Sequence, residues 1–316
     1  MGVTTALDIA SPDDLNTLHM VRDALQNATT QNPLLHRSHF MVIVKTAKDW
    51  SLDSLCDHVK RVVQHLQIDK LDVLLLSRDS MPPRQNVYER KRVVSAYWEC
   101  MVQVQRLGLA REIGVSDLLM DEMELIGIAF PANPPAVLGI SIEIATDKSH
   151  EARTTLRDML SFAHGRSMDV LVRFPIRGLD RPTEAWEEVR FRIAQRLRAT
   201  VFDASIVNEA EAEPYYTERH DMTESETLQT SLQIIVRYFI QQGVVVIPVL
   251  DGEDDNHFTE DEAHQLFTVL PHPFTGLEPS YSPQTQYSSI LTRDELVEID
   301  RVLPLVVTES QADCTE

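Results

Sequence analysis

The stretch that decides the fold reads QIDKLDVLLLS at residues 67–77 and, after a loop, SAYWECMVQVQRLGLAREIGVSD at residues 95–117. Two short apolar runs, Leu71–Leu76 and Ile113–Val115, are bounded by polar residues, and Tyr97–Leu107 between them has the period of a helix. The order strand, helix, strand predicts a βαβ unit, in which two parallel strands are buried on both faces. Because one such unit cannot cover its own sheet, the chain must supply several more.

Further strands are predicted on both sides of this unit, and a helical pattern follows nearly every one of them. The additional strands are Thr4–Ala10, Phe40–Lys45, Ala136–Ile144, Asp169–Pro175 and Gly243–Pro248, with a weaker candidate at Thr200–Val207. This alternation predicts an α/β protein with a (β/α)8 TIM barrel. We predict one barrel domain over residues 1–316, with an acidic insertion near residues 208–226 and an extended C-terminal segment near residues 271–316.

Capping residues mark several helix starts. Ser11 is predicted to cap a helix that has Pro12 in its first turn and ends near Asn27, and Ser51 is predicted to cap a helix that ends near Leu66. The other predicted helices are Val94–Leu107, Asp117–Ile128, Glu151–Ala163, Ala185–Arg198, Leu228–Gln241 after a capping box at Thr223–Glu226, and a short one from the Thr292–Glu295 capping box to near Leu303.

Charge and composition exclude several classes of protein. The formal net charge is −20, the sequence pI is about 4.9 and 43% of the residues are hydrophobic. This content supports a large core, and the negative charge opposes binding to nucleic acid or to anionic membranes. No apolar stretch is long enough to cross a membrane and the start lacks a signal peptide, so we expect a cytoplasmic protein. Three cysteines without paired spacing fit a reducing compartment.

Three segments carry a resemblance to a known family: LQIDKLDVLLLS (66–77), WECMVQVQRLGLAREIGVSD (98–117) and QIIVRYFIQQGVVVIP (233–248). They resemble strands four, five and eight of the aldo-keto reductase superfamily, and the match covers most of residues 40–250 in order. That numbering runs one ahead of the strands predicted here, so the family's first strand is expected to be missing. The resemblance implies the reductase type of barrel.

Within this superfamily, YWE followed by IGVSDLLMDEMELI (113–126) is most similar to the regulatory, or modifier, subunit of glutamate–cysteine ligase. That family resembles a reductase but does not act as one. Its partner is the catalytic subunit, which joins glutamate to cysteine using ATP. The resemblance therefore implies a protein that works by binding an enzyme.

The superfamily resemblance implies where a reductase would place its proton-transfer residues: a Tyr donor assisted by a Lys and a His, with an Asp behind the Lys. Lys45, which ends the VIVK run, matches the Lys. Ser77 stands in place of the His, and a hydroxyl cannot titrate as an imidazole does. If Asp8 is the family's Asp, the Tyr is expected where this chain has Asp13. We interpret these four positions as vestigial and predict no catalytic residue.

The resemblance also implies that the cofactor site is lost. The family's Ser-Asn pair after strand five is Ser116-Asp117 here. The Gln that grips the nicotinamide carboxamide aligns with Ser141, and the aromatic residue that stacks on the ring aligns with Arg173. In place of the Lys and Arg that hold the adenosine phosphate, the chain has the acids Asp251, Glu253, Asp254 and Asp255. Their charges repel a phosphate, so no cofactor is predicted.

Structural roles compete with functional ones at several positions. Lys45 is expected to pair with a neighbouring acid, such as Asp8. Cys56 and Cys100 lie in predicted helices, where a buried and inert thiol is the common outcome. Cys314 is either a free thiol in a polar tail or one half of an intersubunit disulfide.

Three further patterns also have simple explanations. Ser77 with His65 or His58 suggests a nucleophile and a base, but no oriented third member accompanies them. The acidic run Asp251–His257 lacks the alternating ligand spacing of a calcium loop, so it is interpreted as a solvated loop and no metal is predicted. The aromatic pair at residues 97 and 98 is predicted to belong to the core or to pack at the edge of the barrel, rather than to form a binding platform.

Two functions from different classes follow. The preferred one is a catalytically silent barrel that binds and activates the catalytic subunit of glutamate–cysteine ligase in glutathione biosynthesis, as a heterodimer. The alternative is a divergent NADPH-dependent aldo-keto reductase that keeps Lys45 and has a rearranged active site. A modifier of another enzyme on the same scaffold is a third possibility, because a fold does not fix a function.

The predicted partner surface consists of long loops at the C-terminal face of the barrel. They are Asp79–Val93, Asn208–Glu226 and Asp251–Glu262, with Asp79, Glu211, Glu213, Asp251, Glu253, Asp254 and Asp255 as candidate contact residues. The acidity of the last two loops predicts a basic surface on the partner and an association that weakens with salt.

Overall fold

The structure, a computed structural model, describes residues 5–9, 11–48, 50–82, 87–141, 156–175, 186–193, 196, 234–249 and 291–312. Contacts along the chain divide it into two compact units, Met1–Arg173 and Phe174–Glu316. The first unit contains most of the predicted strands and all of the positions at which the sequence predicts remnants of a reductase site.

Six parallel strands form the sheet of the first unit. They are β1 (Thr5–Ile9), β2 (Phe40–Lys45), β3 (Leu71–Ser77), β4 (Ala110–Ser116), β5 (Val137–Ser141) and β6 (Asp169–Pro175). Each strand pairs in parallel with the next one along the chain. Parallel strands that follow each other in sequence need a crossover connection, and this arrangement is the βα succession predicted from the sequence.

Among the described residues, each connection between neighbouring strands contains one α-helix. The helices are α1 (Leu15–Gln31), α2 (Leu55–Leu66), α3 (Val87–Arg106), α4 (Met120–Ala129) and α5 (Leu156–Gly165). Two short 3-10 helices, Arg37–His39 and Arg78–Ser80, precede β2 and follow β3. The described residues of the unit therefore alternate strictly between strand and helix.

Burial on both faces explains why the strands read as unbroken apolar runs. Val42, Ile43 and Val44 are consecutive in β2, point to alternate faces of the sheet and are all fully buried. Trp98 of α3 is also fully buried and Tyr97 is 6% exposed, which confirms both as core residues. Within the described part of the chain, no helix is both long and apolar enough to cross a membrane.

Glycine brings β4 and β5 close together beside the candidate site. A Cβ atom on Gly114 would lie 2.2 Å from the carbonyl oxygen of Val137, closer than any real contact. In the same pair of strands, Gly139 is the register partner of Ser116, and a Cβ there would lie 3.1 Å from the Ser116 hydroxyl. The absence of side chains at these two positions lets the second half of β4 approach the first half of β5.

The start of α1 differs from the prediction. Asp14, not Ser11, caps the helix, because its carboxylate accepts hydrogen bonds from the backbone N–H groups of Asn16 and Thr17 at 3.0 and 3.3 Å. Pro12 therefore lies in the turn before the helix rather than in its first turn. Both residues are acceptable caps by type, and the backbone conformation selects between them.

The starts of α2 and α3 also differ. Ser51 does not cap α2, which begins at Leu55; its hydroxyl lies 2.7 Å from the hydroxyl of Ser54 instead. The helix α3 begins at Val87, inside the stretch predicted as a loop up to about residue 92, because its first residues include good helix formers such as Glu, Arg and Lys.

In the second unit, the described residues form helical segments 186–193 and 234–241, strand β7 (Val244–Val249) and helix α6 (Arg293–Ala312). The predicted capping box is confirmed, since the Thr292 N–H donates to Glu295 at 2.6 Å and the Glu295 N–H donates to the Thr292 hydroxyl at 3.3 Å. The helix ends at Ala312 rather than near Leu303. The predicted strand Thr200–Val207 and the capping box at residues 223–226 lie outside the described residues.

Candidate functional site

Polar side chains collect where the strands of the first unit end. They are Asp8 on β1, Lys45 on β2, Ser77 on β3, Ser116 on β4 with Asp117 directly after it, Ser141 on β5 and Arg173 on β6. The register pairs Ser77 with Ser116 and Ser141 with Arg173. Since parallel strands end at the same edge of a sheet, the fold places these residues where barrel proteins carry their sites.

Asp117 accepts hydrogen bonds from three of these residues. Its Oδ2 atom accepts from Lys45 Nζ at 2.9 Å and from the Ser116 hydroxyl at 2.8 Å. Ser141 contributes its hydroxyl to Oδ2 at 3.1 Å and its backbone N–H to Oδ1 at 2.7 Å. The Asp117 side chain is 4% exposed. Both carboxylate oxygens are therefore engaged by protein donors.

The backbone of Asp117 has a conformation that few side chains adopt. Its φ is 61°, in the left-handed region, which Asp and Asn tolerate better than other non-glycine residues. Its N–H donates to the carbonyl of Gly139 at 3.1 Å. The turn after β4 is therefore tied to β5 through both the backbone and the side chain of this residue.

The two buried carboxyl groups of the site have pKa values shifted in opposite directions. Burial alone raises the pKa of Asp117, but the Lys45 charge and the hydrogen bonds from Lys45, Ser141 and Ser116 outweigh burial and hold the pKa below its ordinary value of 3.8. Burial also raises the pKa of Asp8, and there it prevails over the opposing charges of Arg173 and Lys45. Asp117 is thus the better stabilised anion.

Asp8 pairs with Arg173 across the sheet. Both Nε and one terminal amino group of Arg173 bond to the same carboxylate oxygen, Oδ2. The Asp8 side chain is 7% exposed, and its other oxygen, Oδ1, is buried and makes no hydrogen bond to the residues that the structure describes. The arginine that aligns with the family's stacking aromatic residue is therefore used as a counter-ion.

The direct partner of Lys45 differs from the expected one. The sequence suggested Asp8, but the ion pair forms with Asp117, while Asp8 affects Lys45 only through its charge. Arg173 explains the difference, because it occupies Asp8 and leaves Asp117 as the available carboxylate. Lys45 is 8% exposed, so its ammonium group is buried in this pair.

Ser77, predicted in place of the family's His, has a local structural role. Its N–H donates to the Thr46 hydroxyl at 2.8 Å, and its own hydroxyl accepts from the N–H of Asp79 at 3.4 Å, which caps the 3-10 helix. The Ser80 hydroxyl donates to the Ser77 carbonyl at 2.7 Å. Ser77 therefore shapes the turn that follows β3.

Asp13, predicted in place of the family's Tyr, bonds to partners outside this cluster. Its carboxylate accepts a hydrogen bond from the Trp50 indole N–H at 2.8 Å. The His58 ring stacks on Trp50, with 5.1 Å between ring centroids, and its Nδ1 lies 3.7 Å from Asp13. Within the described residues, no hydrogen bond joins Ser77 to His58 or His65, so the structure does not assemble a nucleophile with a base.

The two described thiols have environments that suppress reactivity. Cys56 and Cys100 are half-buried and free, and burial raises the pKa of both. A raised pKa lowers the thiolate fraction at neutral pH, so both cysteines fit the predicted inert role. Cys314 lies outside the described residues.

Most of the predicted partner-contact residues lie outside the described residues. This applies to Glu211, Glu213, Asp251, Glu253, Asp254 and Asp255, and to the loops Asn208–Glu226 and Asp251–Glu262 that contain them. Asp79 is described and exposed, in the 3-10 helix after β3. Among the described His, Cys, Asp and Glu side chains, no group of three or more could hold a metal ion.

Sequence reasoning missed how the charged residues pair. It treated Asp117 and Arg173 as lost cofactor contacts, and the structure makes them counter-ions of Lys45 and Asp8. A signal was present in the sequence. Relative to the family, Asp117 adds a negative charge in place of Asn, and Arg173 adds a positive charge in place of an aromatic residue. Two such changes at one sheet edge indicate a compensated charge network.

Comparison with known proteins identifies a fold. No protein-family model matches the sequence, and no curated protein matches it. Among solved structures, an aldose reductase from Schistosoma japonicum is similar with a TM-score of 0.57 at 16% identity, over 94% of this chain and 78% of that one. An aldo-keto reductase from Bombyx mori, solved in complex with NADP, gives 0.56 at 16% identity with the same coverage. One from Brucella melitensis gives 0.55 at 13%, over 95% and 94%.

These similarities define the class of the fold. The chain has the (β/α)8 TIM barrel fold of the aldo-keto reductases, which confirms the fold predicted from the alternation of strands and helices. At 13% to 16% identity the likeness concerns the fold alone, because one barrel scaffold supports many unrelated functions.

Proposed function

We propose that this chain is a non-catalytic regulatory subunit that binds and activates the catalytic subunit of glutamate–cysteine ligase in glutathione biosynthesis. The observation that carries the proposal is the set of bonds to Asp117, which engages Lys45, Ser116 and Ser141. In the reductases that the chain resembles, the aligned positions serve the cofactor and the proton transfer. Here these side chains bond to one another instead.

A nicotinamide cofactor would have to compete with the hydrogen bonds that these donors and acceptors already make with one another. A carboxamide needs one acceptor and one donor, but Asp117 Oδ2 already accepts three hydrogen bonds, and the hydroxyl protons of Ser116 and Ser141 are both used in bonds to it. Opening the site would mean breaking a buried ion pair, which typically costs about 3–5 kcal/mol. The ordered pairing of this site therefore argues against the cofactor.

The arrangement of possible proton donors supports the same proposal. Asp13 accepts a hydrogen bond from Trp50, and the Ser77 hydroxyl accepts one from the backbone N–H of Asp79. Neither residue joins the Lys45 pair. Because a general acid commonly contributes a factor of about 10²–10⁴ to a rate, a barrel without that acid would retain little reductase activity.

A regulatory subunit of this kind acts by shifting the equilibrium of its partner. Binding activates the catalytic subunit only if the affinity for its active conformation exceeds the affinity for its inactive one. We propose a heterodimer that forms in the cytoplasm, with Asp79 and the acidic loops in the contact. Their negative charge favours a basic surface on the catalytic subunit, so the affinity should fall as salt increases.

Reconstitution tests the proposal. The purified chain is mixed with the ligase catalytic subunit, the complex is sized by chromatography with light scattering, and glutamylcysteine formation is measured with and without the chain. A reductase of the same fold serves as the control protein. We expect a heterodimer and faster synthesis with this chain only. Absence of a complex at micromolar concentrations, together with unchanged synthesis, would overturn the proposal.

A divergent NADPH-dependent aldo-keto reductase with a rearranged active site is the second candidate. Two observations favour it: a solved protein of the same fold carries NADP, and Lys45 keeps the family's position at the end of its strand. In this function Lys45 would assist an acid other than the family's Tyr. The Asp117 pair would then have to open when the cofactor binds.

Titration with NADPH separates the two candidates. Saturable binding at micromolar concentration, followed by nicotinamide fluorescence, and aldehyde reduction that disappears in Lys45→Met would favour the reductase. An unchanged fluorescence signal in the presence of a stable complex with the ligase would favour the regulatory subunit. The Lys45→Met variant must be checked for folding, because it leaves Asp117 without its cation.

A further inference from the structure

An apolar groove of about 570 Å³ lies beside α4 and α5 of the first unit. Its lining includes Met123 and Ile128 of α4, Pro131 and Pro134 of the loop after α4, Phe162 of α5, and Met168. We propose that this groove binds a peptide segment of a partner protein in which apolar side chains stand next to a carboxylate. A volume of this size accommodates several side chains of such a segment.

The outer side of α4 supports this proposal. A surface helix normally turns polar residues to solvent, but Ile128 is 80% exposed on α4. The neighbouring Gly127 leaves room beside it, since a Cβ atom there would meet no other atom within 4 Å. Met123 and Ile126 of the same helix are buried. The last turn of the helix thus turns an apolar side chain to solvent at the groove, next to the buried apolar face.

Arg166 determines the chemistry of the expected segment. Its guanidinium group stacks on the Phe162 ring at 3.7 Å from the centroid, which leaves the N–H edges of the group open to an acceptor. Arg166 is exposed, and no acid in the part of the chain that the structure describes pairs with it. In a chain with 49 acids and 29 bases, an unpaired arginine beside apolar residues favours a carboxylate from outside.

Glu124 gives the groove a second charge of opposite sign. It lines the same groove, is exposed, and has no ion-pair partner among the described residues. A bound segment would place its carboxylate at Arg166 and a basic side chain at Glu124, which fixes its direction. This pair of charges favours a peptide over an anionic membrane, which a chain of net charge −20 repels.

The groove lies beside the starts of the strands, away from the charged cluster at their ends. Its proline loop precedes β5, and Met168 precedes β6. A partner could therefore occupy the groove without disturbing the Lys45–Asp117 pair. The inference deepens the proposed function, because it names a contact surface on the regulatory subunit. It rests on that function only if the partner is the ligase subunit.

Substitutions at Gly127 test the groove with a matched control. Gly127→Trp fills the groove, whereas Gly127→Ala adds only the Cβ atom, for which there is room. Arg166→Glu reverses the charge, and Met20→Asp alters another exposed apolar residue, 66% exposed on α1, outside the groove. Against the ligase catalytic subunit we expect Gly127→Trp and Arg166→Glu to weaken affinity at least about tenfold, and the two controls less than about twofold. Urea unfolding verifies that each variant folds.

A library of random short peptides displayed on phage provides a second probe that does not depend on the ligase. The wild-type chain should enrich apolar peptides that contain an acid, and the Gly127→Trp variant should lose them while Gly127→Ala keeps them. If the ligase subunit does not bind the wild type, the proposed function fails and this second probe alone decides the inference.

Three outcomes would overturn the inference. The first is equal binding of the ligase subunit by wild type and Gly127→Trp, which leaves the proposed function intact. The second is a set of enriched peptides that bind the Gly127→Trp variant as well as the wild type, or no enrichment at all. The third is a dimer of this chain that Gly127→Trp dissociates, because the groove would then bind a second copy.

Discussion

Where the strands of the first unit end, four largely buried charged side chains form two ion pairs. Beside the strand starts, an apolar groove and an arginine without an acidic partner among the described residues face solvent. The first region contains Lys45 with Asp117 and Asp8 with Arg173. The second contains Ile128 and Arg166. The first region is closed by its own ion pairs and hydrogen bonds, whereas the second keeps its polar and apolar groups available to solvent.

The two regions differ in how much binding energy they can offer. At the strand ends, the hydrogen-bonding groups of Asp117 are already satisfied, so a ligand would have to replace existing bonds with equivalent ones. In the groove, apolar area remains in water, and covering it yields about 25 cal/mol for each Å². Binding at the groove therefore requires no prior disruption of the protein.

The largest expected effect follows from Asp117→Ala. The substitution leaves the Lys45 ammonium group buried without a counter-ion, and removing one partner of a buried pair typically costs about 3–5 kcal/mol. The free energy of unfolding from urea titration, with an unchanged slope, measures this loss.

A double substitution provides the control for that prediction. Lys45→Met in the Asp117→Ala background removes the orphaned charge and should recover part of the lost stability. If Asp117→Ala alone cost less than about 1 kcal/mol, the value of an exposed pair, the strand ends would not be the closed network inferred here.

The next largest effect on stability is expected from Asp117→Asn, and it should depend on pH. Asparagine preserves the size of the residue and, like aspartate, tolerates the left-handed backbone conformation. At neutral pH the loss of hydrogen bonds to a charged acceptor should cost about 1.5–3 kcal/mol. Because the folded pKa of Asp117 lies below its ordinary value of 3.8, the carboxylate stabilises the fold fully above that value and loses its contribution as pH falls through the folded pKa.

Unfolding curves of wild type and Asp117→Asn across an acidic series measure this dependence. The stability difference between the two should be constant above the unfolded pKa and shrink below it. A difference that grows on acidification would mean that the folded pKa of Asp117 is raised, and the assignment of Lys45 as its stabilising partner would be wrong.

Much of the fold could be predicted because it depends on local pattern. The apolar run of β3 defines the strand Leu71–Ser77 without ambiguity, and Thr292 with Glu295 forms the capping box that their spacing predicts. The cap of α1 could not be predicted, because Ser11 and Asp14 are both suitable and only backbone geometry separates them.

The site could be located from the sequence, but its pairing could not. Lys45 and Asp117 are 72 positions apart, and Asp8 and Arg173 are 165 apart, so their contacts depend on strand register and on the order of the sheet. The groove was equally hidden, because the exposed Ile128 reads in sequence like the buried residues of α4. The periodicity of the sequence assigns residues to a helix or a strand. It does not show how much of that element's surface the neighbouring elements cover.

A smaller effect is expected from Gly114→Ala, where β4 and β5 pack closely. The new Cβ atom would lie 2.2 Å from a backbone carbonyl oxygen, which cannot rotate away, so β4 and β5 must separate. Overpacking of this kind typically costs about 1–3 kcal/mol. Gly139→Ala should cost less, because its nearest contact, at 3.1 Å, is the hydroxyl of Ser116, and its other contacts lie at 3.2 and 3.3 Å.

The smallest effect, and one of opposite sign, is expected from Gly127→Ala in the groove. The same chemical change that strains Gly114 meets no atom within 4 Å at Gly127, so only the helix propensity is altered. Glycine inside a helix is less favourable than alanine by about 0.8–1.0 kcal/mol, and urea unfolding should therefore show a stabilised protein. If Gly127→Ala were destabilising, another part of the chain would have to fill the space beside α4. The groove would then already be occupied, and the contrast between the two ends of the strands would disappear.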